Sequence, residues 1–321
     1  PALALGNAVI LKPDPRTSVA GGAVLAEIFR AAGLPDGVLH VLPGGVETGE
    51  ALVADPRVPV ISFTGSTRGG RAVAALGAQH LKRVHLELGG NSALLVLDDV
   101  DVDAASSVGA WGSFAHQGQV CMTTGRHLVL SSIADDYVSA LSARADHLPV
   151  GDPTTGQVAL GPVIDAGQRD KIHGMVTSTV DAGARLAAGG TYEDLFYRPT
   201  VLDSVPLESA AYREEVFGPV APVVRVDSVE QAIALANDSD YGLSLGILTT
   251  DVMRGLEIAE QIPTGLVHIN DQTINDEATI PFGGTGISGT GGRLGGPAAN
   301  VEAFTHTQWV TVRGTLPQYP F

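Results

Sequence analysis

The stretch VISFTGSTRGGRAVAALGAQHLKRVHLELGG, residues 60–90, carries the pattern that decides the fold. It opens with a β-branched run at 60–64, continues with an Ala- and Gly-rich amphipathic segment at 66–79, and ends with the apolar run RVHLEL at 83–88. A strand, a helix and a strand in this order form a βαβ unit, because parallel strands need a crossover connection. The sequence therefore predicts an α/β fold with a parallel sheet.

The same alternation continues on both sides of this stretch. Strands are predicted at 8–12, 38–42, SALLVL after Gly90, and 127–130, and helices at 17–32, 45–54, from Asp101 onward, 134–146 and 166–183. Because a second series of elements starts after the two glycines that follow Leu88, we place a domain boundary near residue 90.

Charge and composition limit the possible partners. Lys and Arg number 19 against 35 Asp and Glu, which gives a net charge of −16. Such a surface repels nucleic acids and anionic membranes, so we expect neither as a partner. A single cysteine cannot form a disulfide within the chain, which fits a reducing compartment, and the apolar runs are too short to span a bilayer. We therefore expect a cytoplasmic protein.

The single cysteine, Cys121, lies in the polar stretch HQGQVCMTTGR at 116–126 and not in an apolar core segment. A reactive thiol needs access to its substrate, so a loop rich in Gly, Gln and Thr is a plausible place for a nucleophile. His116 stands five residues before the cysteine. We interpret it as a packing or solvent-exposed residue in preference to a catalytic base.

Glu87 ends an apolar strand, and only Leu88 separates it from Gly89 and Gly90. Its carboxylate is therefore expected at the carboxyl end of a parallel strand, where open α/β folds place their chemistry. A buried salt bridge would explain the same position. The residues alone leave a general base and a salt bridge open.

Two glycine-rich stretches resemble phosphate-binding motifs. FTGSTRGGR, at 63–71, lacks the Lys-Ser/Thr end of an ATP-binding loop, but it follows a strand and opens a helix, so we favour anion binding over a plain capped turn. GGTGISG matches a dinucleotide fingerprint at Gly284, Gly286 and Gly289. Neither a strand before it nor a helix after it is predicted, so we interpret it as a loop.

No metal site is predicted. Asp99, Asp101 and Asp103 have the spacing of a calcium loop, but alanines occupy the required glycine and glutamate positions. Acidic residues at a helix N-terminus explain these aspartates instead. The nine histidines show no paired ligand spacing.

Seven motifs together resemble the NAD(P)-dependent aldehyde dehydrogenase superfamily, and their order and spacing cover essentially the whole chain. They are GNAVILKP (6–13), FTGSTRGG (63–70), LELGGN (86–91), HQGQVCMTTGR (116–126), EEVFGPV (214–220), NDSDYGLS (237–244) and PFGGTGISGTGG (281–292). KPDPRTSVAGG and the ending TQWVTVRGTLPQYPF look most like the benzaldehyde dehydrogenase branch.

The resemblance implies a domain plan. Residues 1–90 would be the C-terminal half of a Rossmann-like NAD(P)-binding domain, 91–290 an α/β catalytic domain, and 291–321 a tail with an oligomerisation strand. FTHTQWVTVRG (304–314) alternates in the manner of a strand, and in the family this tail pairs across a subunit boundary, so we expect a homodimer or homotetramer. The chain opens directly into ALALGNAVILKP with no loop or leader, so we expect it to start within a domain and to lack the family's N-terminal third.

The resemblance also assigns residues. Cys121 resembles the nucleophile that forms a thiohemiacetal and then a thioester, and Glu87 the base that activates water to hydrolyse it. Lys12 matches the adenine-ribose lysine, Ser66 the pyrophosphate residue, and Glu215 with Phe217 the pair at the nicotinamide; the cofactor-binding set is Lys12, Gly65, Ser66, Gly70, Leu88, Glu215 and Phe217. Asn270 is expected near the substrate loop.

The cofactor is NAD or NADP. NAD-preferring relatives carry a glutamate where this chain has Pro15, and Asp14 is the nearest carboxylate. We slightly favour NAD, because Asp14 and the acidic surface would repel a 2′-phosphate.

The predicted reaction is oxidation of an aldehyde, aromatic and benzaldehyde-like, to the carboxylic acid. Two alternatives stay open beside it. Acyl-transferring relatives release the thioester to coenzyme A and usually lack the base, so Glu87 argues against that reaction. A truncated, inactive homologue with a binding or assembly role is the other alternative, and the intact motifs at Cys121 and Glu87 argue against it.

Overall fold

The computed structural model describes all 321 residues, and the chain forms two compact units. The smaller unit joins both ends of the chain, Pro1–Leu52 and Arg293–Phe321, and the larger unit comprises Val53–Gly292. None of the helices is long and apolar enough to cross a membrane.

A parallel pair of strands organises the smaller unit. Its elements are β1 (Val9–Leu11), a 3₁₀ turn (Pro15–Thr17), a π-helical segment (Val19–Ala23), α1 (Val24–Ala31), β2 (Leu39–Val41), most of α2 (Val46–Ala54) and a C-terminal helix (Pro297–Phe304). The predicted strands and helices are confirmed here, although the helix expected at 17–32 begins as the π segment. The Asn7 side-chain amide donates to the carbonyl of Phe304 at 3.0 Å and so ties the two chain segments of this unit together.

The larger unit begins with the predicted strand–helix–strand segment. It forms β3 (Val60–Thr64), α3 (Thr67–Gln79) and β4 (Arg83–Glu87). The two strands pair in parallel, with Thr64 opposite Glu87. Helix α3 begins after Ser66, whose Oγ accepts a hydrogen bond from the Gly69 N–H at 3.2 Å, as Ser at an N-cap commonly does. The βαβ prediction is confirmed.

A seven-stranded sheet forms the centre of the larger unit. In spatial order its strands are β14 (Leu266–Ile269), β13 (Ser244–Leu248), β5 (Ser92–Val96), β6 (Thr124–Leu130), β11 (Val220–Val226), β10 (Thr200–Asp203) and β7 (Arg185–Ala188). All neighbours are parallel except β7, which runs antiparallel to β10 at one edge. Two short antiparallel pairs complete the strands: β8 (Tyr192–Glu193) with β9 (Phe196–Tyr197), and β12 (Tyr241–Gly242) with β15 (Thr285–Gly286).

Helices cover both faces of this sheet. They are α4 (Val102–Phe114), α5 (Ala134–His147), α6 (Ala166–Asp181), α7 (Ala210–Arg213), α8 (Val229–Asn237) and α9 (Val252–Ala259). Every residue of β5 is buried, and alternate side chains enter two different apolar clusters: Leu94 packs with residues of α4 and α5, and Leu95 with residues of α6 and α8. A strand covered on both faces reads as a continuous apolar run, which explains the sequence SALLV.

The α/β fold class and its parallel sheet are confirmed. The division near residue 90 into cofactor and catalytic parts concerns function and stays a prediction, although β4 and β5 do belong to different sheets. The strand expected within 304–314 is not formed inside this chain: the residues from Thr305 onward form neither helix nor strand. A strand needs a hydrogen-bonded neighbour, so pairing of this tail with a second chain stays a prediction.

Candidate active site

Cys121 lies in the connection between α4 and β6, residues 115–123, which we call the cysteine loop. The cysteine is partly buried, and Met122 beside it is buried. The loop position predicted from the sequence is confirmed. The thiol is nevertheless enclosed by other segments of the larger unit, whose groups set its chemistry.

Backbone strain is concentrated just before the cysteine. His116 and Gln117 have φ angles of 51° and 57°, in the left-handed region, and Gly118 follows at 63°. Non-glycine residues in such sparsely populated conformations cost about 1–3 kcal/mol each, so the surrounding contacts must hold them. One such contact is the Thr123 hydroxyl, which donates to the Gly118 carbonyl at 3.2 Å. The His116 side chain is exposed, in agreement with the solvent-exposed interpretation.

The linker between β4 and β5 passes directly against the cysteine loop. A Cβ on Gly90 would lie 2.5 Å from the Cys121 carbonyl oxygen, and a Cβ on Gly89 would lie 2.4 Å from the Glu215 carboxylate. A side chain at Gly90 would collide with backbone, and a side chain at Gly89 would displace the Glu215 carboxylate. The two glycines that follow Glu87 in the sequence therefore allow the end of β4, the cysteine loop and Glu215 to meet.

Glu215 lies in the loop between α7 and β11, partly buried. Its Oε1 accepts a hydrogen bond from the Gly90 N–H at 3.0 Å. Burial raises the pKa of this carboxyl group, and the Gly90 N–H and the Lys171 charge act against that rise. The structure thus brings Glu215 to the same place as Cys121 and Glu87.

Two residues of α6 hold this loop from behind. Lys171 donates to the Glu215 carbonyl at 2.9 Å, and Gln168 donates to the carbonyls of Val216 and Phe217 at 3.1 and 2.8 Å. Phe217 itself has a φ of 55°. Sequence analysis did not single out Lys171 or Gln168, because their partners are more than 40 residues away and no local pattern connects them.

The charge around Cys121 disfavours its thiolate. Burial, then the carboxylates of Glu215 and Glu87, raise the pKa of the thiol to about 11, while the backbone N–H groups of Cys121 and Met122 act to lower it. Two negative charges and a low-dielectric surrounding both penalise a third negative charge. The resting thiol is therefore protonated at neutral pH, and its use as a nucleophile requires a nearby group that takes the proton.

The N-terminus of α3 offers backbone donors for an anion. N–H groups in the first turn of a helix have no intrahelical acceptor, and the Ser66 hydroxyl satisfies only that of Gly69. Gly65 lies against the ring of Phe63, and Gly70 lies against the side chain of Leu88. Leu88 is buried, so its side chain helps to pack α3 on β4. These donors suit a phosphate group.

Lys12 belongs to the smaller unit. Its ammonium group donates to the carbonyls of Pro13 and Gly44, both at 2.9 Å, which uses two of its three protons. Its assignment as a cofactor ligand stays a prediction from the resemblance.

Asp14 does not present the free charge that the sequence argument assumed. Arg16 binds both of its carboxylate oxygens at 2.9 Å, and this pairing lowers the pKa of Asp14 to about 2. Because the guanidinium offsets the carboxylate charge, Asp14 is a weaker reason to favour NAD over NADP than expected.

The remaining motifs have structural roles. The GGTGISG stretch is a loop apart from the two-residue strand β15, which contains Gly286, and no helix opens on it, as the loop interpretation expects. Asp101 caps α4 by accepting from the Ala104 N–H at 2.8 Å, as expected for a helix N-terminus. The side-chain carbonyl of Asn270 accepts from the Thr249 N–H at 2.9 Å; its expected position near substrate stays a prediction.

Comparison with known proteins gives a consistent result. A profile described as the aldehyde dehydrogenase family matches residues 1–310. The chain is 67% identical over 321 residues to a vanillin dehydrogenase of Amycolatopsis sp., and 54% identical to a benzaldehyde dehydrogenase [NAD(+)] of Pseudomonas putida. Each match covers 100% of this chain but 66% of the relative, so the chain spans about two thirds of their length.

Solved structures agree with these relatives. The crystal structure of a salicylaldehyde dehydrogenase from Pseudomonas putida G7, complexed with salicylaldehyde, superposes with a TM-score of 0.94 at 40% identity. It covers 98% of this chain and 66% of that chain. A Mycobacterium tuberculosis aldehyde dehydrogenase complexed with NAD+ has a TM-score of 0.89 at 40% identity, over 93% of this chain and 62% of that chain.

Replacing Glu215 tests the electrostatic description of the thiol. Glu215→Gln keeps an oxygen for the Gly90 N–H but removes a negative charge near Cys121, so the thiol pKa should fall and alkylation of Cys121 by iodoacetamide near pH 8 should become severalfold faster. The pH dependence of the alkylation rate measures this shift. Glu214→Gln removes an exposed charge from the adjacent residue and should leave the profile unchanged. Equal profiles for both variants would contradict the description.

Proposed function

The chain belongs to the aldehyde dehydrogenase family, and from this premise we propose that it oxidises an aldehyde to the carboxylic acid with NAD or NADP. The observation that carries the proposal is the linker after β4: Glu87 ends the strand, Gly89 lies against the Glu215 carboxylate, and Gly90 lies against the Cys121 carbonyl. A thiol beside a carboxylate base is the arrangement that covalent aldehyde oxidation needs.

In the first step, Cys121 loses its proton and its sulfur attacks the aldehyde carbonyl carbon. The new S–C bond forms while the C=O π electrons move to oxygen, which gives a thiohemiacetal. Because the thiol pKa is raised to about 11, the thiol proton leaves as the sulfur attacks and ends on the former carbonyl oxygen, which becomes the thiohemiacetal hydroxyl. Glu87 therefore remains ionised for the second step. When bound, the nicotinamide cofactor supplies the hydride acceptor that converts the thiohemiacetal to a thioester.

In the second step, Glu87 takes a proton from water, and the resulting hydroxide attacks the thioester carbonyl. The C–S bond then breaks, the carboxylic acid leaves, and Cys121 recovers its sulfur electrons and a proton. Glu87 lies at the end of β4, directly before the linker that contacts the cysteine loop, so the rigid strand positions the base.

For the cofactor, the larger unit offers the first-turn N–H groups of α3 near Gly65 and Ser66 to a phosphate, and Glu215 with Phe217 to the nicotinamide end. The benzaldehyde dehydrogenase relative is named for NAD(+), whereas the Asp14–Arg16 pair removes one argument against a 2′-phosphate. We therefore propose NAD or NADP without choosing between them.

We further propose an aromatic aldehyde as substrate. Three relatives or structural neighbours are named for vanillin, benzaldehyde and salicylaldehyde, and each of these is a benzene ring carrying one aldehyde group. The substrate assignment depends on this shared chemistry and is tested with the same assay as the nucleophile.

Cys121→Ala should abolish cofactor-dependent oxidation of benzaldehyde, vanillin and salicylaldehyde while binding of NAD or NADP stays close to that of the parent protein. The thiol forms the covalent intermediate but does not contribute a cofactor contact in this assignment. Absorbance of the reduced cofactor measures turnover, and quenching of protein fluorescence measures binding. Turnover that persists in the purified variant would refute the nucleophile assignment.

Glu87→Gln should act later in the reaction. The amide cannot accept a proton from water, so the acyl group should remain on Cys121 after a single burst of reduced cofactor, followed by slow turnover. Rapid mixing measures the burst, and mass spectrometry of the quenched protein detects the acylated cysteine. Cys121→Ala, which has no acyl acceptor, is the control that gives no burst. A lost burst with no acylated Cys121 would exclude a role restricted to hydrolysis.

Assembly through the C-terminal tail is also proposed. Trp309 and Val312 are 92% and 85% exposed, and the tail makes no strand within the chain. Large apolar side chains that lie close together and exposed indicate a surface that binds another protein chain. A homodimer or homotetramer, in which the tail pairs with a second copy, would cover them.

Val310→Pro should weaken this assembly, because proline removes the backbone N–H that a strand ladder needs. Val310→Thr keeps that N–H and a β-branched side chain and should assemble like the parent. Light scattering at micromolar concentration gives the mass of each. A monomeric parent protein, or an unchanged assembly in Val310→Pro, would contradict the proposal.

A further inference from the structure

Three polar side chains form a buried network that the proposed chemistry does not use. Ser113 on α4, His127 on β6 and Tyr137 on α5 are all 0% exposed. The Ser113 hydroxyl lies 2.7 Å from His127 Nε2, and His127 Nδ1 lies 2.8 Å from the Tyr137 hydroxyl. Ser113 also donates to the backbone carbonyl of Thr124 at 2.9 Å.

One assignment of protons makes all three hydrogen bonds at once. The single Ser113 proton goes to the Thr124 carbonyl, so the Ser113 oxygen must accept from a protonated His127 Nε2. His127 is neutral, because burial lowers its pKa to about 3, and its Nδ1 therefore accepts from the Tyr137 hydroxyl. The hydrogen bonds run in one direction, from Tyr137 through His127 and Ser113 to Thr124. Each of the three side chains then uses its proton in a hydrogen bond.

Gly109 on α4 leaves space for the polar groups of the network. A Cβ on Gly109 would lie 2.1 Å from the Tyr137 oxygen and 3.0 Å from His127 Cε1. Helix α4 thus has a glycine where these polar groups approach its backbone. The Thr124 side chain extends the network, because its hydroxyl lies 2.7 Å from the Thr273 hydroxyl.

The network joins the two ends of the cysteine loop. Ser113 is the second-last residue of α4, and Thr124 is the first residue of β6. The bond from the Ser113 hydroxyl to the Thr124 carbonyl therefore closes the neck of the loop that carries Cys121. Inside that loop His116 and Gln117 are strained, and strained residues persist only where the surroundings determine their conformation.

We propose that His127 is a positioning residue for Cys121, which it controls by orienting the Ser113 hydroxyl that closes the neck of the cysteine loop. This inference rests on the proposed function in taking Cys121 as the nucleophile. Without the His127 donor, the Ser113 hydroxyl is no longer held toward Thr124, and the loop opens more often. Water then reaches the thiol, and the burial that disfavours its thiolate is reduced.

The test compares variants by the rate at which iodoacetamide alkylates Cys121, the chain's single cysteine, as a function of pH. His127→Leu removes the donor. His127→Gln keeps a side-chain N–H close to the position of Nε2 and is the rescue variant. Leu141→Ala is the matched control. Leu141 is fully buried, as His127 is, and it shares helix α5 and an apolar cluster with Tyr137, but it makes none of the hydrogen bonds of the network. Thermal melting compares the stability of all variants.

We expect the alkylation midpoint of His127→Leu to shift to lower pH, with a rate near pH 8 that increases about tenfold for each unit by which the thiol pKa falls. His127→Gln should stay close to the parent, and Leu141→Ala should keep the parent profile despite a comparable or larger loss of stability. Should His127→Leu fail to fold, Tyr137→Phe removes one hydroxyl from the network and should shift the midpoint in the same direction.

The proposal is overturned when the destabilised control and the network variants share one alkylation profile, or when His127→Gln behaves as His127→Leu does. Alkylation does not require aldehyde turnover. A parent protein that fails to oxidise aldehydes would therefore refute the proposed function alone, and the alkylation profiles would still decide the role of His127.

Discussion

The absence of side chains at Gly89 and Gly90 is the constraint on which the candidate site depends. A Cβ on Gly90 would overlap the Cys121 backbone carbonyl, so a larger residue there would push the cysteine loop away from the linker. A Cβ on Gly89 would overlap the Glu215 carboxylate and displace that side chain. The Gly90 N–H also donates to Glu215. One short linker therefore aligns the nucleophile candidate, the base candidate at the end of β4 and a second carboxylate. The β3–β4 pair and the seven-stranded sheet on either side of the linker supply the rigid support for this alignment.

This close approach has an electrostatic consequence. Burial and two carboxylates hold the Cys121 thiol in its protonated form, although the proposed chemistry needs the thiolate. The thiolate is also the form that oxidises most readily, so a protonated resting state limits side reactions. Backbone strain at His116 and Gln117 adds a conformational cost in the same loop. The Thr123–Gly118 hydrogen bond lies inside this loop, and the Ser113–Thr124 hydrogen bond lies at its neck.

Much of the fold was predictable, because its signals are local. The run 60–64, the amphipathic segment 66–79 and the run 83–88 became β3, α3 and β4 within one or two residues. Ser66 and Asp101 cap the helices that follow them, since an N-cap depends only on the next three residues. Asp14 was predicted less well, because the Arg16 side chain that neutralises it depends on a rotamer that the sequence does not specify. The strand in the tail stays a prediction, because its expected neighbour belongs to a second chain.

The sequence by itself determined the α/β order of elements, the loop that holds Cys121 and the strand end that holds Glu87. It did so because strand and helix periodicity, turn residues and caps act over a few neighbouring positions. Only the tertiary structure decided what surrounds the thiol. Glu215 bonds to Gly90 across 125 residues, and His127, an ordinary member of an apolar strand in the sequence, meets Ser113 and Tyr137 from two different helices. Such contacts depend on how sheets and helices pack, because a hydrogen bond is made between groups that are close in space, whatever their separation along the chain.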